Sequence, residues 1–491
     1  MALNSSGPIS LGGTTAGQSI ALENGGTGTS TISLNDAAVR SLAGVPSGAI
    51  IMPTNFYGKS NATYMIANWG QITVTACAVD ANNNIYIGGK YIFGNLVAYA
   101  RVTAAGSNTA TRWLSGANAG ETLRWVGVDS TNMYLGSPTL GATITASTVT
   151  KTATYNLNNN SGGSVPPGNP PFSFYTIYAG MGTQLPNGNF VIGGYNQYLF
   201  CCSTYDAPAW RLFNTSWGVI TGAGTNQSSN GVYSVGTDVN SNFYVGIIQD
   251  NGSGTPWPQF LKYNSSGTYQ GQVGFNVASA EANCATADSS GNMYVGGASG
   301  SYVSFFFKFN SSFTNQYKYV FNSAGSSADN VSFQIRNIAV DSSGNVYVAG
   351  NTAYNSGNRR KIVIFKFNSA GTTQWVREWI SNSYNYASFD YNQVGFRVMP
   401  NGSICFSFRQ AASSTSGGGF VVLPADGSKT GTYSTTSSGT FTWQANTTVI
   451  VSTTTVGTTA LSNLLSYAFT RPVAALSNTQ NTATNGDVNI I

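Results

Sequence analysis

The sequence predicts an all-β fold, a seven-bladed β-propeller with a small N-terminal attachment module and a C-terminal extension. Three observations lead there. Charged residues make up only 8% of the 491, while 58 are Gly, 27 Tyr and 26 Phe. That balance suits short strands and tight turns rather than solvated helices. A block built on Asp, Gly, Asn and Tyr recurs with a period near 50 residues. Each period carries a second hairpin signal as well, and two hairpins per period make the four strands of one blade.

The strongest copies of the block are Asp288-Ser289-Ser290-Gly291-Asn292-Met293-Tyr294-Val295-Gly296 and Asp341-Ser342-Ser343-Gly344-Asn345-Val346-Tyr347-Val348-Ala349-Gly350. Weaker copies start at Asp80, Asp129, Leu185, Asp238 and Met399, so that successive starts lie 49, 56, 53, 50, 53 and 58 residues apart. Asp can accept from the backbone N–H two residues on, and Gly or Asn supplies the positive φ of a tight hairpin. The second motif is Ile364-Phe365-Lys366-Phe367-Asn368-Ser369-Ala370-Gly371, repeated at Phe307 to Ser312 and Leu261 to Gly267. Fainter echoes lie at Arg101 to Gly106, Tyr155 to Asn158, Tyr205-Asp206 and Leu423 to Gly427. Seven copies give seven blades over residues 59–440. Thr63 to Ala67 is placed to act as an outer strand that closes the ring against 404 to 436.

This connectivity separates two faces. Within a blade, the one–two and three–four turns are short and share a face. The two–three and four–one connections share the other face and are long and aromatic-rich, as in 250–258, 351–360 and 383–391. Long variable connections carry function more often than tight turns do.

The ends read differently. Residues 1–58 are Gly-, Ser- and Thr-rich, with a short capped helix expected over Ser33 to Ala43, closed by Gly44 and stopped by Pro46. Residues 441–491 are Thr-, Asn- and Ala-rich. Strands are expected at Thr447 to Thr455 and Leu464 to Thr470, and an extended or partner-dependent segment over 471–491. Met1 to Ser6 lacks the basic and apolar regions of a secretory signal, and no apolar run approaches the ~20 residues that span a bilayer.

The head runs Ile9-Ser10-Leu11-Gly12-Gly13-Thr14-Thr15-Ala16-Gly17-Gln18-Ser19-Ile20, then Ile32 to Ile50, then Asn55-Phe56-Tyr57-Gly58-Lys59-Ser60. It resembles the leader modules that begin virion structural proteins of tailed bacteriophages, particularly marine cyanophages. The blade block is similar to bacterial propeller repeats of the Asp-x-x-Gly-Asn-x-Tyr-Val-x-Gly type. The first resemblance implies particle attachment through the head; the second implies fold alone.

Chemistry is bounded mainly by absences. There is no His, which excludes Ser-His-Asp and Cys-His nucleophile systems and imidazole metal sites. Cys77, Cys201, Cys202, Cys284 and Cys405 are odd in number and irregular in spacing, so all five are expected to be reduced. Of the acidic residues, Asp80, Asp129, Asp238, Asp288 and Asp341 sit at the first turn, and Asp206 and Asp426 are assigned to the second. Asp250, Glu281, Asp329 and Asp390 are the carboxylates left for a propeller hydrolase or lyase, and their spacing supports no pair. Asp80 to Asn84 lacks the Gly and Glu of a calcium loop. No enzyme, cofactor or metal site is expected. A net charge of +5 over this length gives no nucleic-acid signal.

The expected function is that of a phage virion structural protein, tail-associated as a fibre, tip or adaptor component. The rivals are a capsid-decorating or neck protein and a hydrolase or lyase acting on surface polysaccharide. Residues 1–58 would bind other virion proteins. The long-loop face would bind protein or host-surface glycan through Tyr91, Tyr195, Tyr198, Trp257, Tyr302, Tyr354, Arg359, Arg360, Tyr384 and Tyr386, since exposed aromatic and Arg side chains stack and anchor. The chain would reside in the virion, in several copies and assembled in the host cytoplasm, with no nucleic-acid partner and no membrane insertion.

Overall fold

A computed structural model describes residues 3–490, apart from 4–6, 16–17, 25–26, 44, 46, 57–63, 95, 117–122, 138–139, 158–173, 201–202, 226–230, 251–255, 276–279, 300–303, 324–331, 354–360, 382–385, 389–394, 412–415, 436–438, 447–448, 453–457, 460–465, 469–473, 476–477 and 483–486. Strands predominate among the described residues, with only three short helical segments, Ile20–Glu23, Ala37–Ala43 and Thr54–Phe56. The strands form seven antiparallel sheets, which are the blades of a seven-bladed propeller. Blade 1 is built from Ile72–Val79, Ile85–Tyr91, Leu96–Val102 and Asn108–Gly116. Blades 2 to 6 repeat this pattern, with innermost strands Trp125–Val128, Phe174–Gln184, Val232–Thr237, Ala280–Ala287 and Ser332–Val340. Blade 7 begins at Phe396–Val398 and continues through Ser403–Ala411 and Ser416–Pro424.

The block that counts the blades is a side-chain clamp on the first hairpin. In blade 5, Asp288 accepts from the N–H groups of Ser290 and Asn292, both at 2.9 Å, from the Asn292 amide at 2.8 Å and from the Tyr294 hydroxyl at 2.9 Å. Asp80, Asp238 and Asp341 repeat all four bonds. Asp129 repeats three, with Thr131, Asn132 and Tyr134. The fourth turn residue is left-handed: Gly291 and Gly344 at φ 77, Asn83 at φ 61, Ser241 at φ 62. Gly fits there without steric cost, and Asn tolerates it.

A cation from the second motif lies over the clamp tyrosines Tyr86, Tyr244, Tyr294 and Tyr347, and in blades 5 and 6 it also ties the clamp to the next blade. Lys308 Nζ is 5.4 Å from the Tyr294 ring and donates to Ser369 O in blade 6 at 3.0 Å. Lys366 Nζ is 5.2 Å from the Tyr347 ring and donates to Ala425 O in blade 7 at 2.9 Å. The second hairpin turns on Asn in the same manner: Asn310 Oδ1 accepts from Ser312 and Thr314, and Asn368 Oδ1 from Ala370 and Thr372.

Two second-turn assignments made from sequence are corrected. In blade 2 that turn falls between Leu140–Thr145 and Thr150–Asn156, so Tyr155 lies in the fourth strand. In blade 3 it is Asn214 to Gly218, and Asp206 lies within the strand Ser203–Phe213. The blade 3 turn is disguised because Trp217 takes the left-handed position at φ 63 where the motif has Gly. Its packing offsets that strain: the side chain is buried, and the indole Nε1 donates to Thr143 Oγ1 of blade 2 at 2.9 Å.

The core is a ring of seams. Each pair of neighbouring blades shares one buried apolar cluster, from blades 1 and 2 round to blades 7 and 1. Innermost strands of blades 1, 4, 5 and 6 are bulged, and side chains at or beside the bulges bond across the seams. Thr75 Oγ1 donates to Leu123 O at 2.7 Å, Ser234 Oγ to Ala282 O at 2.8 Å and Asn283 Nδ2 to Ile335 O at 3.0 Å, while Asn337 Oδ1 accepts from Gly395 N at 3.2 Å. Gly88 marks how close the blades come, since a β-carbon there would lie 1.9 Å from Leu123 Cδ2.

Both chain ends close the ring on blade 7. Met65–Trp69 supplies its fourth strand, with Met65 opposite Val422, so the closing-strand expectation holds. On its other edge Met65–Trp69 pairs with Asp487–Ile490. That last strand ends a belt. From Gly439–Ala445 on blade 6, the chain adds Val449–Ser452 to blade 5, Thr458–Thr459 to blade 4, Ser466–Ala468 to blade 3, Ala474–Ala475 to blade 2 and Asn478–Thr482 to blade 1. The segment set apart as a tail by composition, 441–491, thus circles the propeller against chain order and adds a strand beyond the fourth strand of every blade; on blade 6 Gly431–Thr435 pairs outside it. The belt is pinned where it starts. Phe441 and Trp443 are fully buried, and Glu378 accepts from Gln444 Nε2 at 2.7 Å, Asn446 Nδ2 at 2.8 Å and Lys361 Nζ at 3.1 Å.

The head folds on its own apolar cluster of Leu3, Ile20, Val39, Leu42, Ala43 and Phe56. The expected helix runs Ala37–Ala43; Gly44 and Pro46 lie outside the described residues. A second, one-turn helix, Ile20–Glu23, is capped by Ser19, whose Oγ accepts from Leu22 N at 3.2 Å.

Two outcomes follow. Asp288→Ala strands two N–H groups, an amide and a hydroxyl, and is expected to cost about 2–3 kcal/mol in denaturant unfolding, against about 1 kcal/mol for Tyr294→Phe. A chain ending at 438 bares the outermost edges of the blades. It is expected to unfold at a lower temperature and to self-associate in light scattering, because unpaired edges recruit other strands.

Candidate functional site

The innermost strands surround a central channel, which holds a cavity of about 320 Å³. All seven blades contribute the last residues before the first turn, so the cavity lies toward the tight-turn face. Its wall is mostly small and apolar. The residue two before the turn is Ala78, Gly127, Thr183, Gly236, Thr286 and Ala339 in blades 1 to 6, and Arg397 in blade 7. Smallness is imposed by the neighbouring blade: a β-carbon on Gly236 would meet Ala285 O at 1.9 Å. Among the described residues, Arg397 is the only charged side chain in the wall, and no carboxylate lines it.

Arg397 lies at the closing seam. It pairs in register with Cys405 and faces Cys77 of blade 1. Burial pulls the guanidinium below the usual arginine value, while the two sulfurs hold it up. The interaction between the Cys77 and Cys405 thiols lowers Cys77 against the opposing effect of burial and, with burial, raises Cys405 well above the ordinary thiol range. Cys284, on blade 5, is raised by burial. These three cysteines are free and buried; Cys201 and Cys202 lie outside the described residues.

The clamps stand around the tight-turn end of the channel, and their carboxylates are engaged. Asp129 shows the balance: burial raises it, but the N–H groups of Asn132 and Thr131 and the Tyr134 hydroxyl hold it below the usual value. The hydroxyls of Tyr86, Tyr134, Tyr244, Tyr294 and Tyr347 are raised, Tyr86 to about 12, by burial first and then by the charge of, and hydrogen bond to, the clamp Asp, with Tyr317 adding to the effect at Tyr294.

The face opposite the tight turns is described in part, and one expectation for it is corrected. The second and third strands pair as far as Phe200 with Ser203 in blade 3 and Asp250 with Pro256 in blade 4. Those connections are therefore short, and Tyr195, Tyr198 and Trp257 are strand residues, because ladder pairing extends into segments rich in aromatic residues. Tyr91 ends the second strand of blade 1 and stacks on Trp113 at 5.5 Å and 3°, with Phe93 edge-on at 5.7 Å. Phe93 is 70% exposed, so blade 1 presents an aromatic shelf. Tyr195 and Trp257 are partly buried in strands of blades 3 and 4, opposite Pro208 and Gln249. Tyr198 and Tyr386 pair within strands, opposite Tyr205 and Ala411. Tyr302, Tyr354, Arg359, Arg360 and Tyr384 lie outside the described residues. The candidates are thus spread over several blades. Of the hydrolase carboxylates, Glu281 pairs with Arg336 at 3.5 Å, Asp250 ends a strand of blade 4, and Asp329 and Asp390 lie outside the described residues. Sequence reasoning missed Arg397, although aligning the seven repeats two places before the turn isolates it.

A family model described as a β-propeller repeat matches residues 327–355, the stretch that holds the Asp341 clamp. Among solved structures, the chain is similar to a quinonprotein alcohol dehydrogenase-like protein from Bacteroides thetaiotaomicron, at 12% identity and a TM-score of 0.32, over 65% of this chain and 78% of that one. It is also similar to Drosophila Plexin A, solved in complex with Semaphorin 1b, at 10% identity and a TM-score of 0.30, over 54% of each chain. No curated protein matches the chain.

The raised tyrosines set an alkaline limit. A folded tyrosine that holds its proton above the unfolded value of about 10 contributes stability that is complete below that pH. This contribution is lost as pH rises through the folded values, for Tyr86 between about 10 and about 12. Unfolding free energy is therefore expected to fall above pH ~10, with clamp tyrosinate absorbance appearing together with loss of β-sheet circular dichroism.

Proposed function

We propose that the chain is a non-enzymatic structural protein of a tailed-phage virion, joined to the particle through residues 1–58, with the propeller as a rigid platform for a binding face. The head carries this reading. Its residue pattern resembles that of phage leader modules, and among the described residues its apolar cluster is drawn only from residues 3 to 56, so it packs as a unit ahead of the ring-closing strand. The platform role is supported by the closed ring and by the Tyr91, Phe93 and Trp113 shelf on the long-loop face, where aromatic rings can stack on a sugar or anchor a protein contact. A tail-associated position as fibre, tip or adaptor fits a chain that has an anchor at one end and a broad presented face. Nothing in this reading calls for a cofactor.

The test is incorporation. A chain lacking residues 2–55 keeps Met65–Trp69 and its ring, so it is expected to stay soluble and folded yet be absent from purified particles by mass spectrometry. Incorporation at the level of the full chain would overturn the reading.

A further inference from the structure

Arg397 breaks the symmetry of the channel at one position. Six blades place Ala, Gly or Thr there, and those small residues leave the cavity of about 320 Å³ into which the seventh blade sets a guanidinium. Arg stays protonated in proteins, so this is a permanent charge in a wall of backbone and small side chains. Among the described residues no carboxylate pairs with it. Its electrostatic neighbours are the Cys77 and Cys405 thiols, and its one hydrogen bond runs from Nη1 to Phe396 O at 2.8 Å. The side chain is half-buried, and a partly desolvated cation with spare donors is stabilised by an anion that takes them. Thr286 lines the same cavity and adds a hydroxyl donor.

We propose that the channel cavity is a binding site for a small oxyanion, a carboxylate or phosphate group, held by the fork of Arg397. The volume suits a compact metabolite-sized group, and the site does not depend on the virion reading.

The full-length protein, titrated calorimetrically with acetate and separately with inorganic phosphate at constant ionic strength in chloride, is expected to show one saturable site for at least one of them. Binding to acetate alone makes the ligand group a carboxylate, and binding to phosphate alone makes it a phosphate. Arg397→Gln is expected to weaken binding about tenfold or more, and Arg397→Lys less, since Lys keeps the charge and loses the fork. Thr286→Phe fills the cavity from another blade without altering charge and is expected to abolish binding. It keeps the test decisive should Arg397→Gln fail to fold. Absence of saturable binding to either anion overturns the proposal, as does unchanged affinity in a folded Arg397→Gln or Thr286→Phe chain.

Discussion

The molecule depends on the closure of blade 7. Each seam needs a blade on either side, so an open array would leave the outer faces of blades 1 and 7 wet, along with the cluster that joins Trp69, Val74, Ile87 and Phe420. Closure comes from one strand, Met65–Trp69, held between Ser416–Pro424 and Asp487–Ile490. Contacts between residues 65 and 422, or 65 and 490, join segments separated by most of the chain. Their loop-closure entropy must be recovered from the seams and the ladders together. The belt adds to this, because it pairs the outer edge of each blade and binds the last strand to the first.

Within that ring the clamps set local geometry. A single carboxylate gathers two backbone N–H groups, an amide and a phenol, so the hairpin and the first residues of the second strand are fixed as one unit. The lysine over the ring carries the same geometry to the next blade. The tight-turn face is therefore rigid and consumes its own polar groups. The opposite face bears the blade 1 aromatic shelf, and the head adds a packed module before the ring.

The sequence by itself determined the blade count, the all-β class, the first turn of each blade, the head helix and the identity of the closing strand. Those features are written in local periodicity, in turn chemistry that acts over four to six residues, and in position relative to the repeats. The second turns of blades 2 and 3 were misplaced because local signal fails when tertiary packing substitutes for it: Trp217 holds a left-handed turn by burying its indole against blade 2. Only the tertiary structure decided the belt, since strands as short as Thr458–Thr459 and Ala474–Ala475 have no pattern of their own and exist through the edges they complete. It also decided the seam bonds of Thr75, Ser234 and Asn283 and the place of Arg397 beside Cys77. The physical reason is common to all of these: their partners lie about 50 or more residues away, where sequence spacing carries no distance information and only ring closure brings them together.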